Sequence, residues 1–248
     1  MGALVTGGRE AAAERVTLDG PVPIDAIVAV PTDGPATGVL VVCPDIGGVR
    51  PDFDDVCTRL ATHGWAVCAP EPFFEIPPEE RAGLSIEDRM ARVHELDDDD
   101  LAEAAVLALS RAEVAGAVVP DGPAVMIGFC MGGYFTLKLP AMVDGFSRAV
   151  SFYGMIRTPE HWRGPGLSEP LDWAATTVPT LSIIGGADHW TPPDDVGLLR
   201  AAWAARGDCE VVVYPEADHG FVHVPSRPSH RPDDAADAWS RCLAWLRS

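Results

Sequence analysis

Eight short apolar runs, rich in valine and isoleucine and separated by longer amphipathic segments, constrain this chain more than any other feature. A strand that meets water on one face alternates apolar and polar residues, whereas near-continuous apolarity belongs to strands covered by helices on both faces. The pattern therefore predicts an α/β fold with a mostly parallel central sheet of about eight strands. The strands are expected at Val16–Leu18, Ile24–Val30, Gly38–Cys43, Ala66–Ala69, Ala124–Gly128, Ala149–Tyr153, Thr180–Ile184 and Glu210–Tyr214. Helices are expected at Asp52–His63, Asp98–Ala112, Met131–Leu139, Asp194–Ala205 and Asp233–Leu246. The Gly20-Pro21 break makes the first two strands an antiparallel hairpin. With 248 residues, 47% of them hydrophobic, residues 1–248 can bury one full core and need no second domain.

Two segments depart from the rhythm. Residues 71–96 follow a strand with prolines and charges, and residues 155–178 hold Trp162 and Trp173 among glycines and prolines. Both follow strand carboxyl ends, where parallel sheets place their functional loops, so both are candidate pocket walls. Trp190 is a further candidate lining residue.

Charge narrows the partners. Against 18 Lys+Arg stand 37 Asp+Glu, and the net charge of -19 repels nucleic acid and anionic membranes. No stretch reaches the roughly 18 apolar residues of a membrane helix, and the N-terminus lacks a signal-peptide pattern, so a cytoplasmic protein is expected. The opening Met1-Gly2 fits a loose myristoylation pattern, but no basic cluster follows it. A small-molecule substrate is the expected partner, met by a monomer or small homo-oligomer without cofactor or metal. The six cysteines show no zinc-like spacing. The run Asp97–Asp100 falls at an expected helix start, where acidic residues favour the helix dipole.

The chemistry concentrates at Gly128-Phe129-Cys130-Met131-Gly132-Gly133. An apolar strand runs into glycine, a spacer, a nucleophile-type side chain, a spacer and glycine, and a helix then begins. This is a nucleophile elbow with cysteine in the usual place of serine. The helix N-terminus there favours a thiolate, and its free N–H groups can stabilise an oxyanion. A core cysteine beside helix-packing glycines and a redox-sensing thiol are the competing readings.

An acid and a histidine follow in the order that an elbow enzyme requires. Asp188 follows the strand Thr180–Ile184, with Thr191 before Pro192 the better-placed helix cap, which leaves Asp188 free to orient an imidazole. His219, just past the strand Glu210–Tyr214 and followed by glycine, is the expected general base.

With these residues in place, the chain resembles the dienelactone hydrolase family from about Leu18 to Leu246. The elbow, Ser151-Phe152-Tyr153-Gly154, Gly186-Ala187-Asp188 and His219-Gly220-Phe221 match its pattern in order. The resemblance implies an α/β-hydrolase fold, carboxymethylenebutenolidase-type cleavage of an ester or lactone, Cys130 as nucleophile, His219 as base and Asp188 as its orienting acid. It also implies an oxyanion hole from the backbone N–H groups of Ile46 and Met131. Asp45 stands where family members have a glutamate that interacts with the cysteine, and His223 where they have a substrate-binding arginine. Tyr153, Phe221, His223, Arg89 and Arg92 are thus expected substrate contacts, with Arg227 and Arg231 as further candidate cations. A general carboxylesterase or thioesterase, and a catalytically idle binding or redox-sensing protein of this fold, are the alternatives.

Overall fold

In a computed structural model, residues 3–222 and 225–248 are described; Met1, Gly2, His223 and Val224 lie outside them. Eight strands form one sheet: β1 (Ala11–Leu18), β2 (Ile24–Pro31), β3 (Gly38–Cys43), β4 (Trp65–Pro70), β5 (Ala124–Phe129), β6 (Arg148–Phe152), β7 (Thr180–Gly185) and β8 (Glu210–Tyr214). Their order is β1-β2-β4-β3-β5-β6-β7-β8. The β1/β2 and β2/β4 pairs are antiparallel, and β4, β3, β5, β6, β7 and β8 run parallel.

All eight expected strands are present. The first is longer than its apolar segment, because Ala11–Arg15 is mostly exposed and carries little hydrophobic signal while its backbone pairs with β2 from Ala11↔Pro31 onward. Along β3 the side chains divide by parity. Leu40 and Val42 enter the core on one face, with Phe53, Val56 and Leu60, while Val39 and Val41 enter the core on the other, with Ala104, Ala105 and Ala108. Each such fully buried aliphatic side chain contributes roughly 1.5–3 kcal/mol.

The helices are α1 (Pro51–Ala61), α2 (Pro78–Arg81), α3 (Ile86–Arg92), α4 (Asp98–Gly116), α5 (Met131–Thr136), α6 (Leu139–Met142), α7 (Pro170–Trp173), α8 (Pro193–Trp203) and α9 (Pro232–Trp245). The single helix expected over Met131–Leu139 is instead two, because Lys138 leaves helical geometry and Pro140 starts a new turn. Lys138 is fully buried, with its ammonium 2.6 Å from Asp98. The acidic run is therefore structural at both of its first two positions: Asp97 caps α4 through the Asp99 N–H, and Asp98 also accepts from Ser168 N and Oγ.

Candidate active site

Five neighbouring parallel strands, β3, β5, β6, β7 and β8, end on the same edge of the sheet, and the loops leaving them converge. At the end of β5 the chain must turn from strand to helix within one residue. Cys130 does so at φ 55°, ψ −117°, a left-handed conformation that a residue with a Cβ holds only under strain. Two glycines permit it by close approach. A Cβ at Gly128 would stand 2.0 Å from the Gly132 carbonyl oxygen, and one at Gly132 would stand 2.0 Å from that of Cys43. The turn places Cys130 immediately before α5, with its own N–H donated to the Phe152 carbonyl at 3.0 Å. Among the described residues, neither the Met131 nor the Ile46 amide has a hydrogen-bond acceptor.

After β7, the Asp188 carboxylate is wholly shielded from solvent. Its Oδ1 accepts the Trp190 N–H at 2.8 Å, and its Oδ2 faces His219 Nδ1 at 2.7 Å. Thr191 does not cap the next helix. Pro192 takes the cap position and Pro193 the first helical one, no side chain caps the helix, and the Asp195 N–H donates to the Pro192 carbonyl instead. After β8, the Asp218 carboxylate accepts the His219 N–H at 2.6 Å, and the ring stands edge-on to Tyr153 with centroids 5.0 Å apart. His219 Nε2 is buried and makes no hydrogen bond of ordinary geometry among the described residues, although the Cys130 sulfur is close enough to act on the ring. Burial disfavours the imidazolium, but the neighbouring Cys130 sulfur and the bond to Asp188 outweigh it, and His219 is pushed up to about 10.

Cys130 and His219 share a cavity of about 170 Å³. Ile46, Met155, Trp162 and Trp190 form much of its wall, with Ile86 and Met90 from α3. The Trp162 and Trp190 rings stack with centroids 6.2 Å apart and 22° between their planes. The polar contributions besides Cys130 and His219 come from Asp45 and Arg227. Asp45 Oδ1 accepts the Gly47 N–H at 2.8 Å, and both its oxygens receive Arg50, at 2.5 and 2.7 Å.

Several expected substrate contacts are placed elsewhere. Arg89 is buried on Glu71 at 3.1 Å, on the side of α3 away from the cavity, because a helix separates residues 89 and 90 by about 100°. Arg92 pairs with Glu80 and Glu95 at the surface. Tyr153 and Phe221 are fully buried and pack against each other, Tyr153 also against the His219 ring, so they support the site and do not line it. Trp173 donates to Ser168 Oγ, away from the cavity. His223 lies outside the described residues. Ile86, Met90 and Met155 carry no individual signal in the sequence, although both segments that supply them stand out as pocket walls. Nor do Arg50 and Glu71, whose only sequence signal is a charge beside a glycine-rich or proline-rich turn.

Asp188, His189 and Asp218 bring potential metal-ligand atoms within 4.8 Å of one another. Both Asp188 oxygens are already engaged, however, and the other two residues are exposed, which does not favour a held ion. No helix among the described residues is long and apolar enough to cross a membrane.

The model of the dienelactone hydrolase family matches residues 24–248. The chain is 33% identical over 222 residues to a protein of Escherichia coli K12 named, provisionally, as a carboxymethylenebutenolidase, covering 87% of this chain and 78% of the relative. A Methylorubrum extorquens protein with the same provisional name is 30% identical over 237 residues, 92% of this chain and 77% of that one. Among solved structures, a protein from Klebsiella pneumoniae subsp. pneumoniae provisionally described as a dienelactone hydrolase superposes with a TM-score of 0.83 at 29% identity. That match covers 96% of this chain and 99% of the other.

Proposed function

The chain belongs to the dienelactone hydrolase family of α/β hydrolases, and from that premise we propose that it cleaves an ester or lactone through Cys130, His219 and Asp188. The observation that carries the reading is the strained backbone of Cys130, at φ 55° beside a histidine whose far nitrogen is held by a buried carboxylate.

In this mechanism His219 Nε2 holds the proton of the Cys130 thiol, and the sulfur attacks the substrate carbonyl carbon. The carbonyl π pair moves onto oxygen, where the Ile46 and Met131 N–H groups receive it. As the tetrahedral intermediate collapses, the carbon–oxygen bond to the leaving group breaks, and that oxygen takes the proton from His219. His219 next removes a proton from water, the hydroxide attacks the thioester, and the thiolate departs. A thiolate leaves a tetrahedral centre more readily than an amine, so amides are poor substrates, and enol-lactones and aryl esters are good ones.

The cavity supports a substrate of defined shape. Its stacked tryptophans and the Met90 and Met155 side chains suit a flat or apolar acyl group, and Arg227 suits a carboxylate at one end of it. Asp45, neutralised by Arg50, adds little repulsion toward such an anion. The test is a panel of lactones and aryl esters, with and without a carboxylate, on wild type, Cys130→Ala and Arg227→Ala. Cys130→Ala is expected to lose all turnover. Arg227→Ala is expected to raise KM by about 10–150-fold for carboxylate-bearing members only, the range given by the roughly 1.5–3 kcal/mol of a charged hydrogen bond. Turnover of every member by Cys130→Ala would overturn the proposal.

A further inference from the structure

Residues 44–49 leave β3 in a sharp turn, with Gly48 at φ 64° and its N–H on the Asp45 carbonyl at 2.9 Å. Backbone outside a helix or sheet has no ladder to fix it, so beyond such turn bonds side chains or water must hold its polar groups. On the cavity side Asp45 and Arg50 do this. On the opposite side a second buried carboxylate, Glu71, sits directly after β4. Its Oε2 accepts the Val49 N–H at 2.8 Å, while Oε1 accepts the Phe73 N–H at 3.2 Å and Arg89 Nη1 at 3.1 Å. A Cβ at Gly48 would stand 2.4 Å from Glu71 Oε2, so the carboxylate is pressed against the loop backbone. Glu71 is absent from the Cys130 cavity and lines a separate cleft behind the loop. Arg89, its partner, belongs to the helix whose other side supplies Ile86 and Met90 to the cavity.

We propose that Glu71 is a positioning residue for acyl transfer. Backed by Arg89, it fixes the turn at residues 44–49 so that the Ile46 N–H meets the developing oxyanion, and it ties that turn to the α3 wall of the cavity. This rests on the reading of the Ile46 amide as an oxyanion donor given above. The physical case is one of placement. A donor is effective only when it lies about 2.7–3.1 Å from the oxyanion, and a loop without a ladder keeps no such tolerance unaided. A buried Glu–Arg pair is a weak source of stability compared with apolar packing, whereas it fixes geometry through several directed bonds at once.

Glu71→Gln tests the proposal with almost no change in volume. The amide has one acceptor oxygen, so whichever way it turns, either Val49 or the Phe73/Arg89 pair faces an NH2 group. Two rates are compared: steady-state turnover of an aryl ester, and alkylation of Cys130 by iodoacetamide. Alkylation is displacement at a saturated carbon and builds no oxyanion, so it reads the nucleophile and base alone. The expected result is a kcat lower by about 10–100-fold, somewhat less than deleting an oxyanion donor outright. KM should stay within about threefold and the alkylation rate within about twofold. A folded variant with wild-type kcat overturns the proposal, and so does a parallel fall in alkylation. Where Glu71→Gln does not fold, Glu71→Gln with Arg89→Met, which leaves no stranded cation, carries the same measurements. Cys130→Ala run alongside separates the two readings. Turnover that survives it overturns the nucleophile assignment and this proposal together, and turnover that it abolishes leaves the Glu71 comparison to decide.

Discussion

Replacing Asp188 by asparagine changes one atom, and the geometry around that atom sets the consequence. The two carboxylate oxygens face two N–H donors, Trp190 N at 2.8 Å and His219 Nδ1 at 2.7 Å, with the side chain shielded from water. Asparagine can accept from one of them only. If its oxygen keeps Trp190, its NH2 donates to Nδ1, so the neutral imidazole must carry its proton on Nε2 and cannot take the thiol proton from Cys130. Such a wrong tautomer costs about 10⁴-fold in kcat in a comparable triad, or about 5 kcal/mol at 1.36 kcal/mol per decade. If the amide flips, two N–H groups meet at Trp190 and strand a buried donor, at about 1–3 kcal/mol. The first arrangement is therefore preferred, and kcat is expected to fall by about 10³–10⁴-fold with the fold intact. Stopped-flow acylation by 4-nitrophenyl acetate, alongside far-UV circular dichroism, measures both. A burst rate within about threefold of wild type would refute the reasoning, since it would mean that the proton on His219 does not depend on Asp188.

Three further outcomes follow from the same geometry. Brief iodoacetamide treatment should label Cys130 before the other five cysteines, because burial pushes Cys43 and Cys68 up to about 12, Cys57 and Cys242 also upward, and Cys209 upward to a lesser depth of burial. Peptide mass mapping that finds Cys209 labelled first would contradict this. The His219 ring, raised from 6.5 to about 10, contributes stability that is fully present below pH 6.5 and lost as pH rises through about 10. Wild-type melting temperature should therefore fall toward His219→Ala between those limits. The opposite contribution of Lys138, brought down to about 8 by burial against the pull of Asp98, is common to both proteins and cancels; a constant difference across that range would be the contrary result. Gly132→Ala would press a methyl group into two backbone carbonyls, Cys43 O at 2.0 Å and Pro44 O at 2.4 Å, neither of which can rotate away. An overpacking cost of about 3 kcal/mol lowers the melting temperature by about 6–12 °C in a chain of this size, which differential scanning fluorimetry would detect.

How much of this was legible in sequence depended on whether a signal was local. The strands β2 to β7 could be read because burial writes near-continuous apolarity into the chain, as in Gly38–Cys43, where all but the terminal cysteine are buried, and the half-buried edge strand β8 could be read from its Val211-Val212-Val213 run. Most of β1 could not, because Ala11–Arg15 is held by an edge ladder and not by burial. Cys130, Asp188 and His219 were singled out because each follows a strand and stands beside turn residues. The structure brings them together at the edge where five strands end.

Of the rest of the cavity, Trp162 and Trp190 stood out as aromatic residues in or beside loops that follow strands, whereas the other lining residues are set by helix phase and loop closure and carry no local signal. Within one turn of α3, Arg89 goes to Glu71 while Met90 goes to the cavity, and no composition rule separates them. Asp45 was recognisable as a carboxylate near the cysteine, but its capture by Arg50 depends on a loop that folds an arginine five residues later back onto it. Arg227, named among four candidate cations, reaches the cavity through a loop with no periodicity to read.

The most direct test of the account is to look for the covalent intermediate. Wild-type protein mixed with an aryl ester or enol-lactone, quenched in acid within milliseconds and digested, should carry the acyl mass on the peptide containing Cys130. The adduct should be absent from Cys130→Ala and slow to form in His219→Ala. Turnover with no adduct at Cys130, or with the acyl group on another residue, would contradict the account at its centre.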